Sequence, residues 1–341
     1  MKNKKMWSML VQLSMNCQGF KFDTRLPFDF DDDVWETILK KSADSGINTI
    51  VLDLGDGVCY GSHPELANKG AWTRQRVRSE VKKARDMGIT IIPKLNFSAT
   101  HDLWLGEYGN MLTTPAYYKV CRDLINEVYD LFDCPDYIHI GMDEEDEDHF
   151  TKEFGLYICR FGEALWHDLQ FLLDCVRDTG ATPWMWTDCL FNYPEEFYEH
   201  IGTKDLILSP WYYHALREEH YTLISSGQEY IDYYSQEKFK GQNLKYVEDD
   251  IFHTRFRDCA LPNLKRGYTY VPCMSVYNHC QYNTPDVVEY FKTKAPENSI
   301  AGFITAPWCE TTKENLPKFE ESIRLLQKAR EEFYPEERAL S

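Results

Sequence analysis

The run Asp136-Tyr137-Ile138-His139-Ile140-Gly141-Met142-Asp143-Glu144 decides the fold. Its apolar part is short and rich in β-branched and aromatic residues, which suits a strand buried on both faces rather than a helix. The strand leads at once into two adjacent carboxylates. In parallel α/β architectures the C-terminal ends of the strands carry the chemistry, so Asp143 and Glu144 stand where a catalytic pair belongs. Two carboxylates leaving one strand repel each other. At least one is expected to hold its proton more tightly, as a general acid near neutral pH requires. The acidic run continues through Glu145, Asp146, Glu147 and Asp148, which reads as a solvated face.

Working outward, further apolar runs of strand length sit near 7–15, 48–54, 89–97, 182–188, 205–213, 268–277 and 300–308. Amphipathic helices separate them. One opens on Asp31, Asp32 and Asp33, carries Val34, Ile38 and Leu39, and stops before Gly46. Thr73 caps a second, in which Val77, Val81 and Ala84 repeat at helical spacing up to Gly88. Helices are also expected over 117–132 and 156–179, the latter ending at Gly180, and from Asn315-Leu316-Pro317 onward. Eight strand-helix units predict a single α/β domain spanning 1–341, a closed (β/α)8 TIM barrel. An open doubly wound sheet is the alternative, but neither a G-x-G-x-x-G nor a G-x-x-x-x-G-K-[ST] follows any strand. The polar, tyrosine-rich stretch 214–265 reads as an insertion of one helix and a long loop.

The chain has 341 residues, 37 of them basic and 55 acidic, for a net charge of −18. A surface so negative excludes a general nucleic-acid binder and disfavours anionic membranes. Lys2, Lys4 and Lys5 precede an apolar stretch to Met15, but Ser8, Gln12 and Ser14 interrupt it and no small-residue cleavage site follows; it reads as a first core strand. Eleven scattered cysteines without a C-x-x-C read as reduced thiols, and the expected location is cytoplasmic. Cys59, Cys189 and Cys309 lack a base partner for nucleophilic chemistry. Asp53, His101, His139, Asp143 and Asp188 could surround a divalent ion. There is no H-x-H on strand one and no H-E-x-x-H, so no metal or cofactor is expected. An oligomer is compatible with this composition.

The predicted strand ends collect polar and aromatic side chains. They read Asp53-Leu54-Gly55-Asp56, Lys94-Leu95-Asn96 with His101, Trp186-Thr187-Asp188, Trp211-Tyr212-Tyr213, Tyr277-Asn278-His279 and Trp308-Cys309-Glu310. Aromatic faces with carboxylates and amides match a sugar ring, which stacks its C–H face and offers hydroxyls to acidic groups. Asp56, in a Gly-Asp-Gly turn, is a pocket candidate and also an ordinary turn former. Trp184 and Trp186 point the same way, toward the interior.

His139-Ile140-Gly141-Met142-Asp143-Glu144 resembles the H-x-G-G-D-E motif of family 20 glycoside hydrolases, the β-N-acetylhexosaminidases. Asp53-Leu54-Gly55-Asp56 with Pro64-Glu65-Leu66 is similar to their strand-two segment, and Thr73 through Ile92-Pro93 to the segment that follows. Trp186-Thr187-Asp188 is like their strand-five W-x-D, and Trp308-Cys309-Glu310 their strand-eight W-x-E. The resemblance spans roughly residues 30–330, in order. It implies an exo-acting, retaining, substrate-assisted hydrolase of an N-acetylhexosamine-containing glycan. Glu144 would be the general acid/base, and Asp143 would orient the 2-acetamido group whose carbonyl oxygen attacks the anomeric carbon. Trp186 and Trp308 would wall the sugar, Glu310 would bind a hydroxyl, and Tyr212 or Tyr213 would donate to the acetamido oxygen. His101 and His139 would support the Asp-Glu pair.

The chain departs from the family at several points. Ser14-Met15-Asn16-Cys17 lacks the strand-one arginine, Pro93-Lys94-Leu95-Asn96 replaces P-E-I-D, and Ser98-Ala99-Thr100-His101 is one residue longer than P-G-H. Met142 replaces the second glycine of the catalytic motif, and no counterpart of the family's N-terminal accessory domain is expected. Two further readings follow from these changes. One is a noncatalytic carbohydrate-binding barrel. The other is a glycosidase acting on a plain hexoside through a protein carboxylate such as Asp188 or Glu310.

Overall fold

The computed structural model describes residues 5–14, 28–145, 158–217, 220, 251–277 and 280–340. Met15 to Cys17, Asp146 to Asp148, Asn278, His279 and residues 221–250 of the expected insertion lie outside the described residues.

Each of the eight predicted strand runs contains a strand. They are β1 (Met6–Gln12), β2 (Thr49–Asp53), β3 (Thr90–Lys94), β4 (Tyr137–His139), β5 (Thr182–Trp186), β6 (Ile207–Ser209), the pair β7 (Thr269–Tyr270) and β8 (Cys273–Met274), and β9 (Gly302–Thr305). The seventh run is split because Pro272 has no N–H to give to a ladder. Around it the Cys273 N–H donates to the Pro210 carbonyl (2.8 Å), and the Ser209 hydroxyl donates to the Val271 carbonyl (2.6 Å).

The helices are α1 (Asp32–Asp44), α2 (Arg74–Asp86), α3 (Pro115–Leu131), α4 (Glu163–Thr179), α5 (Asp188–Asn192), α6 (Pro194–His200), α7 (Ile251–Lys265), α8 (Asn283–Lys294) and α9 (Leu316–Phe333). Their starts follow local chemistry. Asp31 Oδ1 accepts from the N–H groups of Asp33 and Val34, and Thr73 Oγ1 from that of Arg76. Thr114 caps α3, with Pro115 in its first turn. Helix α4 begins later than the predicted 156, because Gly162 at φ 55° breaks the backbone just before it; Gly180 at φ 98° ends it as expected. Helix α7 is the helical part of the insertion.

The chain forms two compact units, one of residues Gln12–Phe30 and Ile50–Leu208, the other of Met1–Val11, Asp31–Thr49 and Ser209–Ser341. In the first, the strand order is β5-β4-β3-β2, each strand beside its predecessor, with Lys94 opposite His139 and His139 opposite Trp184 in parallel register. Its core is Ile50, Val51, Ile91, Ile138 and Trp184, with the inner faces of α3 and α4 packed on each other. In the second, β1 pairs in parallel with β9, Met6 opposite Gly302 and Met9 opposite Thr305, and β9 pairs with β8. The first strand of the chain therefore lies beside the last. Barrel closure requires that neighbourhood, whereas an open doubly wound sheet reverses its order at an interior point. The fold class is α/β, with parallel strands alternating with helices. Among the described residues the cysteines are free thiols, and no helix is long and apolar enough to cross a membrane.

Candidate active site

Strand β4 stops at His139 because the backbone turns sharply. Gly141, Met142 and Glu144 all adopt positive φ, at 74°, 66° and 56°. Gly141 has no alternative: a Cβ there would lie 1.9 Å from Asn96 Oδ1. Met142, which stands where the family motif has its second glycine, carries the left-handed conformation with a side chain, at a cost of about 1 kcal/mol. Strain of this kind collects where surrounding structure must fix a functional geometry.

The loop after β3 supplies that fixation. Asn96 Oδ1 accepts from the N–H groups of Ser98 (3.1 Å) and Met142 (3.3 Å), and its Nδ2 donates to Asp143 Oδ1 (2.8 Å). The hydroxyls of Ser98 and Thr100 donate to the Asp143 carbonyl. His101 Nε2 then lies 3.1 Å from Glu144 Oε2 and 3.3 Å from Asp143 Oδ2, so one imidazole faces both carboxylates. The Glu144 N–H donates to Asp188 Oδ1 at 3.2 Å, at the start of α5. Asp143 and His101 are largely buried, and the Glu144 side chain is one-third exposed. The arrangement offers one accessible carboxyl group for proton transfer beside a second, held one, with a histidine to share charge between them.

His139 does not reach the pair. Its ring is buried between Trp184 and Trp186, with centroids 5.3 and 4.8 Å away, and Nδ1 accepts from the Gly141 N–H (3.0 Å). It therefore holds the turn rather than the carboxylates. Burial, reinforced by the Lys94 charge, pushes its pKa well below the ordinary histidine value. An unfolded chain protonates this histidine below about pH 6.5 while the native state does not. Native stability from this group is thus complete above that pH and is lost as pH falls, by up to about 1.4 kcal/mol per unit. We expect His139→Asn, whose amide oxygen can replace Nδ1, to flatten the acid limb of a denaturation-midpoint-versus-pH curve. An unchanged slope below pH 6.5 would contradict this account.

Other predicted positions resolve individually. Asp56 is a turn anchor: Ser14 donates to one carboxylate oxygen and Asn68 Nδ2 to the other (3.1 Å). Trp186 is buried at 1% exposure. Asp53, buried, pairs with Lys94 at 2.6 Å, so the lysine that replaces an acid of the family motif has its own counter-ion. Glu145 is not a solvated face residue. It is fully buried and joined to Arg160 at 2.7 Å, because Arg160 and the Ala99 N–H converge on its Oε1. Asn96, Glu145 and Arg160 were not among the predicted site residues.

In the second unit Tyr212 is a core residue. It is buried against Phe256, and its hydroxyl donates to the Ala215 carbonyl (3.3 Å). The backbone alternation that buries Tyr212 turns Tyr213 the other way. Tyr213 stacks on Trp211 (5.3 Å) and lies 6.5 Å from both Tyr277 and Trp308. Tyr277 is 54% exposed. Trp308, at φ 50°, precedes Glu310, whose carboxylate accepts from Asn315 Nδ2 at 3.2 Å.

Residues 53–320 match the glycosyl hydrolase family 20 catalytic domain. A curated relative, the lacto-N-biosidase of Bifidobacterium bifidum, is 23% identical over 224 residues, which is 57% of this chain and 20% of that protein. Among solved structures, the β-N-acetylhexosaminidase from Bacteroides fragilis aligns over 94% of this chain and 65% of its own, at 11% identity and a TM-score of 0.58. The N-acetyl-β-hexosaminidase of Streptomyces plicatus aligns over 98% and 68%, at 13% identity and a TM-score of 0.59. The chain thus spans a fifth of the curated relative and about two-thirds of these structural neighbours. At such identities the structures speak for the fold, and the family rests on the match across residues 53–320: this chain belongs to glycosyl hydrolase family 20.

Proposed function

We propose that the protein is an exo-acting β-N-acetylhexosaminidase that works by a retaining, substrate-assisted mechanism. The observation that carries this reading is the Asp143-Glu144 pair at the end of β4, faced by His101, with Asn96 on one carboxylate and Asp188 on the backbone of the other. Glu144, the more exposed of the two, donates its proton to the glycosidic oxygen as the bond from that oxygen to the anomeric carbon breaks. The carbonyl oxygen of the substrate's 2-acetamido group forms the new bond to the same carbon. Asp143, held by Asn96, accepts the acetamido N–H and balances the positive charge that develops on it. Glu144, now a carboxylate, takes a proton from the water that opens this intermediate, with net retention.

The position of Asp188 favours the substrate as nucleophile. A protein nucleophile would have to stand across the sugar from the acid. Asp188 instead accepts from the N–H of Glu144 itself and is nearly buried. The aromatic set Trp211, Tyr213, Tyr277 and Trp308 has the composition of a sugar-stacking surface. Of the two adjacent tyrosines, Tyr213 belongs to this aromatic set and Tyr212 does not.

A panel of chromogenic glycosides tests the proposal: N-acetyl-β-glucosaminide, N-acetyl-β-galactosaminide and the matching plain hexosides, with and without chelator. Turnover confined to the acetamido pair and insensitive to chelator is expected. Turnover of a plain hexoside at a matching rate would remove substrate assistance, and loss of activity with chelator would replace the mechanism by a metal-dependent one.

A further inference from the structure

Resting on the assignment of Glu144 as the acid, we propose that Glu145 and Arg160 form a buried clasp that sets the position of the catalytic loop. They act as positioning residues, without touching substrate. The observations concern one oxygen. Glu145 Oε1 accepts from the Ala99 N–H (2.9 Å), from Arg160 Nε (3.1 Å) and from Arg160 Nη2 (2.7 Å). Ala99 lies two residues before His101, and Glu145 directly follows Glu144. A single acceptor therefore ties the loop that carries the histidine to the loop that carries the acid, at the point where the 3.1 Å His101–Glu144 contact must be maintained.

Arg160 closes the arrangement from below. Its Nη2 also donates to the Phe97 carbonyl (2.5 Å), and its Nη1 lies 3.3 Å from the Tyr117 hydroxyl and 3.5 Å from Asp168 Oδ2. Tyr117 is on α3 and Asp168 on α4, so the guanidinium fastens the catalytic loop to two helices of the scaffold. Both Arg160 and Glu145 side chains have no solvent exposure. Burial works against the guanidinium charge, but the adjacent Glu145, with Tyr117 and Asp168, outweighs it and holds Arg160 charged. A planar fork with several fixed donors is what such a junction needs; a lysine would supply charge without the geometry. The positive φ of Glu144 makes the device necessary, since a strained backbone keeps its conformation only when its neighbours over-determine it.

Arg160→Lys and Glu145→Gln, each of similar size to the native residue, test the clasp. Both are measured below their melting temperatures, against a phenyl and a 2,4-dinitrophenyl N-acetyl-β-glucosaminide. The first leaving group needs a proton from Glu144 and the second does not. A displaced acid lowers kcat/KM, which reads formation of the intermediate alone, about tenfold or more on the phenyl substrate with little change in kcat/KM on the dinitrophenyl one. A merely structural role lowers the melting temperature and affects both substrates alike.

The ¹⁵N imidazole signal of His101, assigned by its loss in His101→Gln, provides a readout independent of turnover and is expected to shift in both variants. Unchanged leaving-group dependence with an unmoved His101 signal overturns the clasp. If Glu144→Gln retains full turnover, the acid assignment fails instead, and the His101 signal alone then decides whether the two loops are tied.

Discussion

Glu144→Gln is expected to lower kcat on phenyl N-acetyl-β-glucosaminide by a factor on the order of 10² or more, with an unchanged circular dichroism spectrum. The substitution is close to isosteric, and the site is expected to tolerate it. The Glu144 side chain is one-third exposed, so no buried charge is orphaned, and an amide can still meet His101 Nε2. What the amide lacks is a proton to give. Two consequences separate this from a folding defect. A 2,4-dinitrophenyl leaving group departs without protonation, so formation of the intermediate on that substrate is largely spared. Its breakdown still needs a base for water, and azide, which needs none, is expected to restore turnover and yield a β-glycosyl azide. Near-wild-type hydrolysis of the phenyl glycoside by this variant would end the assignment of Glu144 as the acid.

The strands were legible in the sequence because a buried parallel strand is a local pattern. The runs at 48–54, 89–97 and 182–188 need only apolar residues at the right length between helices, and β2, β3 and β5 lie inside them. The division of the seventh run was not legible in the same way. Pro272 breaks the ladder there, and the hydrogen bonds that survive depend on Ser209 and Pro210, more than sixty residues away. The start of α4 is hidden in the sequence for a similar reason. Leu156, Tyr157 and Ile158 continue the apolar pattern, but the turn at Gly162 sets the boundary.

At the site, position along the chain picked out Asp143 and Glu144, since they leave a buried strand. Their partners are contacts between loops, and composition does not encode those. In the acidic run from Asp143 to Asp148, charge alone cannot tell that Glu145 is buried. That fact belongs to Arg160, fifteen residues on, and to the Ala99 N–H. Tyr212 and Tyr213 pose the same problem in miniature. Adjacent residues at a strand end point opposite ways, and the register that decides which one faces the core is set by the Tyr212 N–H donating to the Cys273 carbonyl. Asn96 was visible only as the loss of an acid from P-E-I-D. Its amide, serving Ser98, Met142 and Asp143 at once, does what a carboxylate could not, because it donates and accepts on the same group.

That bifunctional amide sharpens the expectation for Asp143→Asn. In the native protein Asn96 Nδ2 donates to Asp143 Oδ1, and Oδ2 lies toward His101 at 3.3 Å. An asparagine at 143 keeps its oxygen toward Asn96 and turns its NH2 toward His101 and the substrate. It then presents a donor where the acetamido N–H needs an acceptor, and it removes the negative charge that balances the forming cation. Loss of such a charge in a shielded site is expected to cost on the order of 10² or more in kcat, which is about 2.7 kcal/mol of transition-state stabilisation. The loss is confined to substrates whose acetamido group takes part. Stepwise fluorination of the acetyl methyl withdraws electrons from the attacking oxygen, so wild-type rates are expected to fall steeply along the acetyl, fluoroacetyl and difluoroacetyl series. In Asp143→Asn the whole series is expected to be slow and its slope shallower. Any residual turnover of a plain hexoside is expected to change little. Equal losses on acetamido and plain substrates would show that Asp143 serves the acid rather than the nucleophile, and would move the reaction to a protein carboxylate.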